Sequence, residues 1–301
     1  MRSKTHLISQ PFKTENTRII RESNKKFPPP NVISFDLFGT LYKPKKPVPE
    51  QYYDISHDEF GIAKSAQSIE KDFPRVYSQL QKEYPNYGKG HPQFEHCDAW
   101  WRELILRLYG LDKYSDETKA LSHRLIHHFT SEQAYDLYAD VLPTLETLQS
   151  HGVKMVVASN SDSRALTILQ SLNIKHFFQC VESWHCSGIF LSYDYDHAKP
   201  DKALFDQVAT RMYRSVKDPH FRGKSPPVSF LDACWHVGDD HDQDFVGAIR
   251  AGWNGVLLDR EGKSPLGQGL TQHNGCLILA NNRVVMTNLA QLLNLFEWRG
   301  K

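Results

Sequence analysis

The stretch Val32-Ile33-Ser34-Phe35-Asp36-Leu37-Phe38-Gly39-Thr40-Leu41 decides how this chain folds. Its apolar run predicts a buried β-strand that delivers one carboxylate, Asp36, and then Gly39 and the hydroxyl of Thr40 into a turn. A carboxylate at the end of a buried strand is costly unless it is hydrogen-bonded or binds a metal. We therefore predict that Asp36 is a nucleophile or a metal ligand and not a packing residue.

Phe38 is the unusual member of this stretch. Side chains two residues apart along a strand return to the same face, so Phe38 stands where a second carboxylate beside Asp36 would serve acid–base chemistry. Phenylalanine cannot transfer a proton. The sequence thus offers a candidate nucleophile without a proton carrier two residues after it.

The composition limits the class of protein. With 301 residues, of which 40% are hydrophobic, the chain is long enough for about two domains with real cores. Lys and Arg number 36 against 35 Asp and Glu, so no global field favours nucleic acid or an anionic membrane as a partner. No apolar stretch approaches the ~18 to 20 residues of a membrane span, and the mean hydropathy is −0.52. We expect neither a nucleic-acid nor a membrane partner.

The cysteines and the first residues bear on the compartment. Five scattered cysteines without a CxxC motif predict a reducing intracellular environment, cytoplasmic or nuclear. Residues 1–14 carry three basic residues and no acidic one, and three prolines at 28–30 stiffen the chain before the first strand. We expect a flexible basic leader over residues 1–30, with a mitochondrial targeting segment as the alternative interpretation.

The segment after the first strand has helical periodicity. Apolar side chains recur at spacings of three and four over residues 73–80, 101–108 and 121–129, and Gly110 predicts a helix end. Such amphipathic segments bury their apolar faces against one another. We predict a helical domain with its own small core over residues 47–136.

Beyond Asp140 the pattern changes to alternating strands and helices, which predicts a parallel sheet. The expected fold is α/β: a Rossmann-like, doubly wound parallel sheet formed by residues 31–46 and 137–301, with an inserted α-helical cap. Loops at the carboxyl ends of such strands hold ligands. The predicted strands are 153–158, 177–181, 233–237, 255–258 and 284–286, and the predicted helices include 164–172 and 200–212.

Four polar segments occur in order along the predicted strand ends. They are Asp36 with Thr40, Ser159-Asn160, Lys199-Pro200 and Gly238-Asp239-Asp240-His241-Asp242-Gln243-Asp244. Together they resemble the motifs of the haloacid dehalogenase-like (HAD) hydrolase superfamily: its DxxGT nucleophile motif in the variant without the second acid, its hydroxyl and lysine motifs, and its acidic GDxxxxD motif. Each motif alone is weak, but the ordered set extends over about 210 residues and is specific.

The resemblance implies a phosphoryl-transfer site. A carboxylate attacks phosphorus only when its repulsion from the phosphoryl oxygens is cancelled by cations and hydrogen-bond donors. By resemblance, Asp36 is the nucleophile that forms an aspartyl-phosphate. It is also a Mg²⁺ ligand, together with the backbone carbonyl of Phe38 and with Asp239. Oxygen ligands are those that Mg²⁺ prefers.

The remaining motif residues receive supporting roles from the same resemblance. Thr40, Ser159 and Asn160 would bind the substrate around the transferred group. Lys199 would act in catalysis by neutralising negative charge, and Asp244 would orient either the waters of the metal or Lys199. The substrate implied is a small molecule, and phosphorylated; nothing in the sequence indicates the oligomeric state.

The helical segment matches the position of the superfamily's cap, which closes over the site, excludes water and selects the substrate. Its stretch Tyr84-Pro85-Asn86-Tyr87-Gly88, followed by Trp100-Trp101, resembles the cap of the subgroup formed by haloacid dehalogenase-like hydrolase domain-containing protein 3 and its fungal relatives. The substrate is not readable from these residues.

Phe38 leaves three functions open. A Mg²⁺-dependent phosphatase of reduced or specialised activity explains the acidic segment 238–244, although the loss of a general acid typically costs about 10² to 10⁴ in rate. A metal-independent dehalogenase-type hydrolase tolerates an aromatic here, because a halide needs no protonation, but it leaves that segment without a role. A catalytically weak or inactive binding protein on the same fold is the third hypothesis. We favour the phosphatase.

Overall fold

The structure is a computed structural model that describes residues 26–178, 188–267, 276–280 and 282–298. Nine strands lie in these ranges: β1 Val32–Phe35, β2 Tyr42–Pro44, β3 Tyr135–Leu137, β4 Met155–Ser159, β5 Ile189–Leu191, β6 Cys234–Gly238, β7 Asn254–Leu258, β8 Cys276–Ala280 and β9 Arg283–Met286. Seven of them form one sheet in the order β5-β4-β1-β6-β7-β9-β8. All neighbours are parallel except β8 and β9, which are antiparallel.

Helices cover both faces of this sheet. Strands buried on both faces are largely apolar, and β1, β4 and β6 are buried at every position. The predicted α/β, Rossmann-like fold is therefore confirmed. The helices are α1 Val48–Asp58, α2 Ala66–Glu83, α3 Cys97–Tyr109, α4 Asp116–His128, α5 Val141–Ser150, α6 Arg164–Ser171, α7 Ser192–Tyr195, α8 Lys202–Val216, α9 Val228–Leu231, α10 Gly247–Arg250 and α11 Leu292–Leu295, with a π-helix at His241–Val246 and short 3₁₀ turns at Asn86–Gly88, Lys175–Phe178, Pro265–Gly267 and Leu289–Gln291.

Helices α1 to α4 form one insertion, residues 48–128, which we call the helical insertion. The hydroxyls of Ser65 and Ser115 accept hydrogen bonds from backbone amides in the first turns of α2 and α4, and Gly110 ends α3 in the left-handed conformation. The chain enters and leaves the insertion through the antiparallel pair β2–β3. Part of the insertion packs in a core of its own, but α1 and α4 share the main core with the sheet.

Several local predictions differ from the structure. The prolines and lysines between Tyr42 and Glu50 favour a linker, but this stretch forms β2 and the start of α1. Phe177 and Phe178 lie in a buried 3₁₀ turn and not in the predicted strand, whose remaining residues fall outside the described ranges; the edge strand is β5. Proline suits the first turn of a helix, which predicts a helix start near Pro74, but Pro74 lies inside α2 because that helix begins earlier, at Ala66.

The folded core also includes a residue that precedes the predicted boundary at Asn31. Phe27 is buried, its ring centre lies 4.9 Å from that of Trp235, and its amide donates to the carbonyl of Leu295 at 2.8 Å. The end of the predicted leader is thus part of the core, whereas residues 1–25 of that leader lie outside the described residues. None of the helices in the described ranges has the length and apolar character to span a bilayer.

Candidate active site

The turn after β1 fixes the candidate nucleophile. The amide of Asp36 donates to the carbonyl of Val237 at 2.9 Å, which extends the parallel pairing of β1 with β6 by one residue. The chain then turns through Gly39, whose φ of +82° is left-handed. A Cβ on Gly39 would collide with the carboxylate of Asp239, so glycine is needed both for the turn and for the close approach of that acid.

Lys199 joins two carboxylates beneath this turn. Its Nζ lies 2.6 Å from Oδ1 of Asp36 and 2.5 Å from Oδ1 of Asp244. The side chains of Lys199 and Asp244 are each 2% exposed, and that of Asp36 is 13% exposed. Burial opposes the charge of Lys199, but the two carboxylates outweigh it and raise the pKa of its ammonium. Lys199 is therefore a permanent cation in contact with the nucleophile.

The two carboxylates respond differently to this burial. For Asp244, burial alone would raise the pKa, but Lys199 and a hydrogen bond from His236 lower it below its ordinary value. For Asp36, burial raises the pKa, and Lys199 only partly offsets that rise while Asp244 adds to it. Asp244 is thus the firmly ionised partner of Lys199, and Asp36 carries charge that is less completely compensated.

Two buried polar residues within the sheet hold Asp244. Ser34 in β1 and His236 in β6 are paired in register, and Nδ1 of His236 lies 3.1 Å from the Ser34 hydroxyl. Nε2 of His236 lies 3.0 Å from Oδ1 of Asp244. Burial lowers the pKa of His236, so its neutral ring donates from Nε2 to the carboxylate and accepts from Ser34 at Nδ1. A hydrogen-bonded chain therefore runs from the middle of the sheet to Asp36.

Asp239 completes the acidic cluster. Its Oδ1 accepts a hydrogen bond from the Thr40 hydroxyl at 2.9 Å. One side of Asp239 is open to solvent, yet the protein packed around its carboxylate, with added repulsion from Asp36 and Asp244, raises its pKa to about 6. One carboxylate oxygen from each of these three acids lies within 4.8 Å of the others.

This cluster fits a divalent cation. The ammonium of Lys199 contacts two of the three carboxylates, those of Asp36 and Asp244. Burial, with added repulsion between the acids, raises the pKa values of Asp36 and Asp239, so their negative charge is incompletely compensated. A hard cation with oxygen ligands would relieve that repulsion. Asp36 and Asp239 are suited to hold it, since Asp244 is already committed to Lys199.

The hydroxyl and amide motif lies at the end of β4. The Ser159 hydroxyl is 2.9 Å from that of Ser161. Asn160 accepts from the amide of Lys199 at 2.7 Å and donates to the Lys199 carbonyl at 2.8 Å and to Gln243 at 2.6 Å. In this arrangement Asn160 positions the backbone of Lys199. Contacts of Ser159, Asn160 and Thr40 with a substrate stay predictions.

Phe38 does not lie on the strand. Because β1 ends at Phe35, the alternation used to place Phe38 on the face of Asp36 does not apply. The Phe38 ring is instead 50% exposed and lies edge-on to Tyr42 and Tyr135, with ring centres 6.1 and 6.4 Å away. It lines a cavity of about 490 Å³ between the turn, β3, α6 and the helical insertion, which we call the aromatic cavity.

The buried chain Ser34–His236 was missed by the sequence analysis. Each residue is a polar side chain inside an otherwise apolar strand, and this is the signal that marks such residues. Arg260 was missed as well: it donates to the carbonyl of Thr40 at 2.7 Å and to Asp140 at 2.9 Å, and so fixes the turn from outside. Nothing in the local sequence of Arg260 indicates that contact.

A parallel sheet with an aspartate–lysine–aspartate cluster at its strand ends defines a class of enzymes, the haloacid dehalogenase-like hydrolases. The model of the family described as "haloacid dehalogenase-like hydrolase" matches residues 30–252, and the chain belongs to this family. It is similar to uncharacterized protein YMR130W of Saccharomyces cerevisiae, with 32% identity over 78% of this chain and 73% of that protein. It is also similar to haloacid dehalogenase-like hydrolase domain-containing protein 3 of Danio rerio, with 29% identity over 76% and 85% of the two chains.

Solved structures agree with the fold. The putative HAD-hydrolase YfnB from Bacillus subtilis, bound to magnesium, matches with a TM-score of 0.56 at 14% identity and covers 89% of this chain and 97% of its own. The defluorinating L-2-haloacid dehalogenase Rha0230 matches with a TM-score of 0.57 at 15% identity over 90% and 99% of the two chains. These likenesses support the fold alone.

Proposed function

We propose that the protein is a Mg²⁺-dependent phosphatase that acts on a small phosphorylated molecule through an aspartyl-phosphate at Asp36. The observation that carries this proposal is the undercompensated acidic cluster of Asp36, Asp239 and Asp244 around Lys199. Family membership supports a hydrolase with a small-molecule substrate, and members of the superfamily generally use Mg²⁺.

Asp36 and Asp239 would hold the Mg²⁺ ion, with the Phe38 carbonyl as the further ligand that the resemblance implies. The bound ion would supply positive charge that cancels the repulsion between the carboxylate and the phosphoryl oxygens. Lys199 supplies a second positive charge at Oδ1 of Asp36, which leaves the other carboxylate oxygen to attack phosphorus. Asp244 and His236 keep Lys199 in that position.

The helical insertion acts as the cap in this proposal. It supplies half of the residues that line the aromatic cavity above Phe38, and its closure over a bound substrate would exclude water. The dehalogenase-type alternative also uses an aspartate nucleophile, but it gives no role to Asp239, whose carboxylate the turn at Gly39 accommodates so closely.

The test is phosphate release from a panel of phosphate monoesters, with either Mg²⁺ or EDTA, by the wild-type protein and by Asp36→Asn. We expect release that requires Mg²⁺ and falls to background in Asp36→Asn. The control is Asp116→Asn, which changes the same residue type at a side chain that is 97% exposed on α4 and should leave release unchanged. Metal-independent halide release from 2-haloacids would contradict the proposal, and so would inactivity on both panels.

A further inference from the structure

The aromatic cavity combines features that point to one class of substrate. Its wall includes the rings of Phe38, Tyr42, Phe73, Tyr77 and Trp101. An apolar cavity of about 150 Å³ is enough to bind benzene, so the 490 Å³ present here accommodates an aromatic ring with substituents. Rings of this kind favour edge-on and stacked contacts with a further ring.

The cavity adjoins the nucleophile. Phe38 follows Asp36 by two residues, and Ser161, which lines the cavity, is hydrogen-bonded to Ser159 of the site. A phosphate ester whose phosphorus lies at Asp36 would therefore place its organic group in the aromatic cavity.

The charge inside the cavity does not suit an anionic group. The charged residues of its lining are Glu70, Asp162 and Arg164. The guanidinium of Arg164 is paired with Asp162 at 2.9 Å and lies 3.9 Å from the ring centre of Trp101. Its positive charge is therefore already compensated by Asp162. Burial raises the pKa of Tyr135 to about 12, so its hydroxyl is neutral. The net charge of the lining is not positive, which disfavours a carboxylate- or phosphate-bearing group at this wall.

Phe38 sets a second condition on the organic group of the substrate, which is also the leaving group. With no acid at position 38, the leaving oxygen departs unprotonated, which disfavours an alkoxide. Phenols ionise near a pKa of about 10, as tyrosine does, whereas bulk water, which resembles an alcohol, ionises near about 15.7. An aryloxide therefore leaves readily without the proton that Phe38 cannot give.

We infer that the substrate is an aryl phosphate, whose ring binds in the aromatic cavity against Phe38 and whose aryloxide is the leaving group. The inference rests on the proposed phosphatase function. An oxygen of Asp36 bonds to phosphorus while the bond from phosphorus to the aryl oxygen breaks, and the electron pair leaves with that oxygen, which is protonated by solvent. That protonation gives the phenol. Water then attacks phosphorus while the bond from phosphorus to the Asp36 oxygen breaks; the electron pair returns to the Asp36 carboxylate, the attacking water loses a proton to solvent, and inorganic phosphate is released.

Three esters separate ring recognition from leaving-group reactivity. Phenyl phosphate has the ring and the aryloxide, benzyl phosphate has the ring but leaves as an alkoxide, and cyclohexyl phosphate has neither. We expect wild-type kcat/KM for phenyl phosphate to exceed that for benzyl phosphate by about 10² to 10⁴. Phe38→Asp, which supplies an acid, should narrow that ratio at least tenfold. An unchanged ratio, or equal use of all three esters by the wild type, would overturn the inference and leave the phosphatase function intact.

Binding is measured separately from turnover, by calorimetry with benzylphosphonate and cyclohexylmethylphosphonate in the presence of Mg²⁺. The aromatic analogue should bind more tightly, and Phe73→Leu should weaken its binding about two- to tenfold through the loss of one aromatic contact. The control is Tyr114→Leu, which removes an aromatic side chain that is 73% exposed and lies outside the cavity. This variant should bind the aromatic analogue as tightly as the wild type. Equal binding of the two analogues would overturn the inference. Selective binding without phosphate release from any ester would instead contradict the phosphatase function and the leaving-group role.

Discussion

Nε2 of His236 lies 3.0 Å from Oδ1 of Asp244, the same oxygen that accepts a hydrogen bond from the ammonium of Lys199. The histidine is fully buried in β6 and touches no solvent. Since burial lowers its pKa, the ring is neutral and the hydrogen bond does not depend on a histidine charge near neutral pH. A residue in the middle of the sheet thus sets the position of the lysine that contacts Asp36.

His236→Leu should destabilise the protein and slow it. Removing a hydrogen bond to a charged group costs about 1.5 to 3 kcal/mol in the free energy of unfolding, because the buried carboxylate of Asp244 loses a donor. Urea unfolding measures this loss, and phosphate release should fall because Lys199 is less well held. Ser34→Ala is the comparison: it removes only the hydroxyl-to-imidazole bond and should cost about 0.5 to 1.5 kcal/mol. Equal effects of the two variants would show that the bond to Asp244 has no special role.

Gly39→Ala should abolish Mg²⁺ binding, whereas Gly61→Ala should not. Both glycines have a left-handed φ, +82° and +66° respectively. Alanine therefore costs each of them backbone strain of about 1 to 2 kcal/mol. A Cβ at Gly61 has no neighbour within 4 Å, but at Gly39 it collides with the carboxylate of Asp239. The difference between the two variants, in calorimetric Mg²⁺ titration and in urea unfolding, isolates that collision from the strain.

Mg²⁺ should raise the melting temperature of the wild-type protein, because a ligand that binds only the folded state stabilises it. Asp239→Asn should remove most of this increase, since it replaces a charged ligand by a neutral one. Asp242→Asn makes the same change three residues away at a side chain that is 84% exposed and should retain the full increase. Differential scanning fluorimetry over a range of Mg²⁺ concentrations gives the comparison. Parallel behaviour of the two variants would place the cation elsewhere.

The ion pair of Asp162 with Arg164 should make stability depend on pH in the acid range. Burial alone would raise the pKa of Asp162, but Arg164 and the indole of Trp101 lower it below its ordinary value. A carboxyl whose pKa is lower in the folded state stabilises the fold above its unfolded pKa of about 4 and loses that contribution as the pH falls through the folded value. Asp162→Asn should therefore be less stable than wild type at pH 7, with a smaller difference at pH 3, as measured by urea unfolding. A difference that is equal at both pH values would contradict this.

The sequence predicts the central sheet well because its strands are continuous apolar runs separated by helices. It fails where local patterns are ambiguous: Phe177 and Phe178 are buried, as a strand would be, but they lie in a 3₁₀ turn. Strand β8 was not predicted, since it pairs with β9 as an antiparallel hairpin at the sheet edge and interrupts the βα alternation. Pairing of this kind depends on tertiary contacts that no local window contains.

The candidate site shows the same division. Asp36, Lys199, Asp239 and Asp244 were predicted from the order of the motifs, and the structure brings them together. The link from His236 to Ser34 depends on the register between β1 and β6, which the sequence does not specify. The aromatic cavity likewise requires the packing of α2 and α3 over the turn.

Because β2 pairs with β3, the proposed chemistry and the proposed choice of substrate depend on different parts of the molecule: the acidic cluster and the helical insertion. Tyr42 and Leu137 lie opposite each other, so the strands that lead into and out of the helical insertion are about one strand spacing, 4.8 Å, apart. An insertion of another length or sequence can begin and end at the same two strands without shifting the register of the main sheet. Under the proposed function, such an exchange would alter the wall of the aromatic cavity while the carboxylates and the lysine keep their places. Phe38 lies at the junction of these two parts: it belongs to the turn that carries Asp36, and its ring contacts Tyr42 of β2 and Tyr135 of β3.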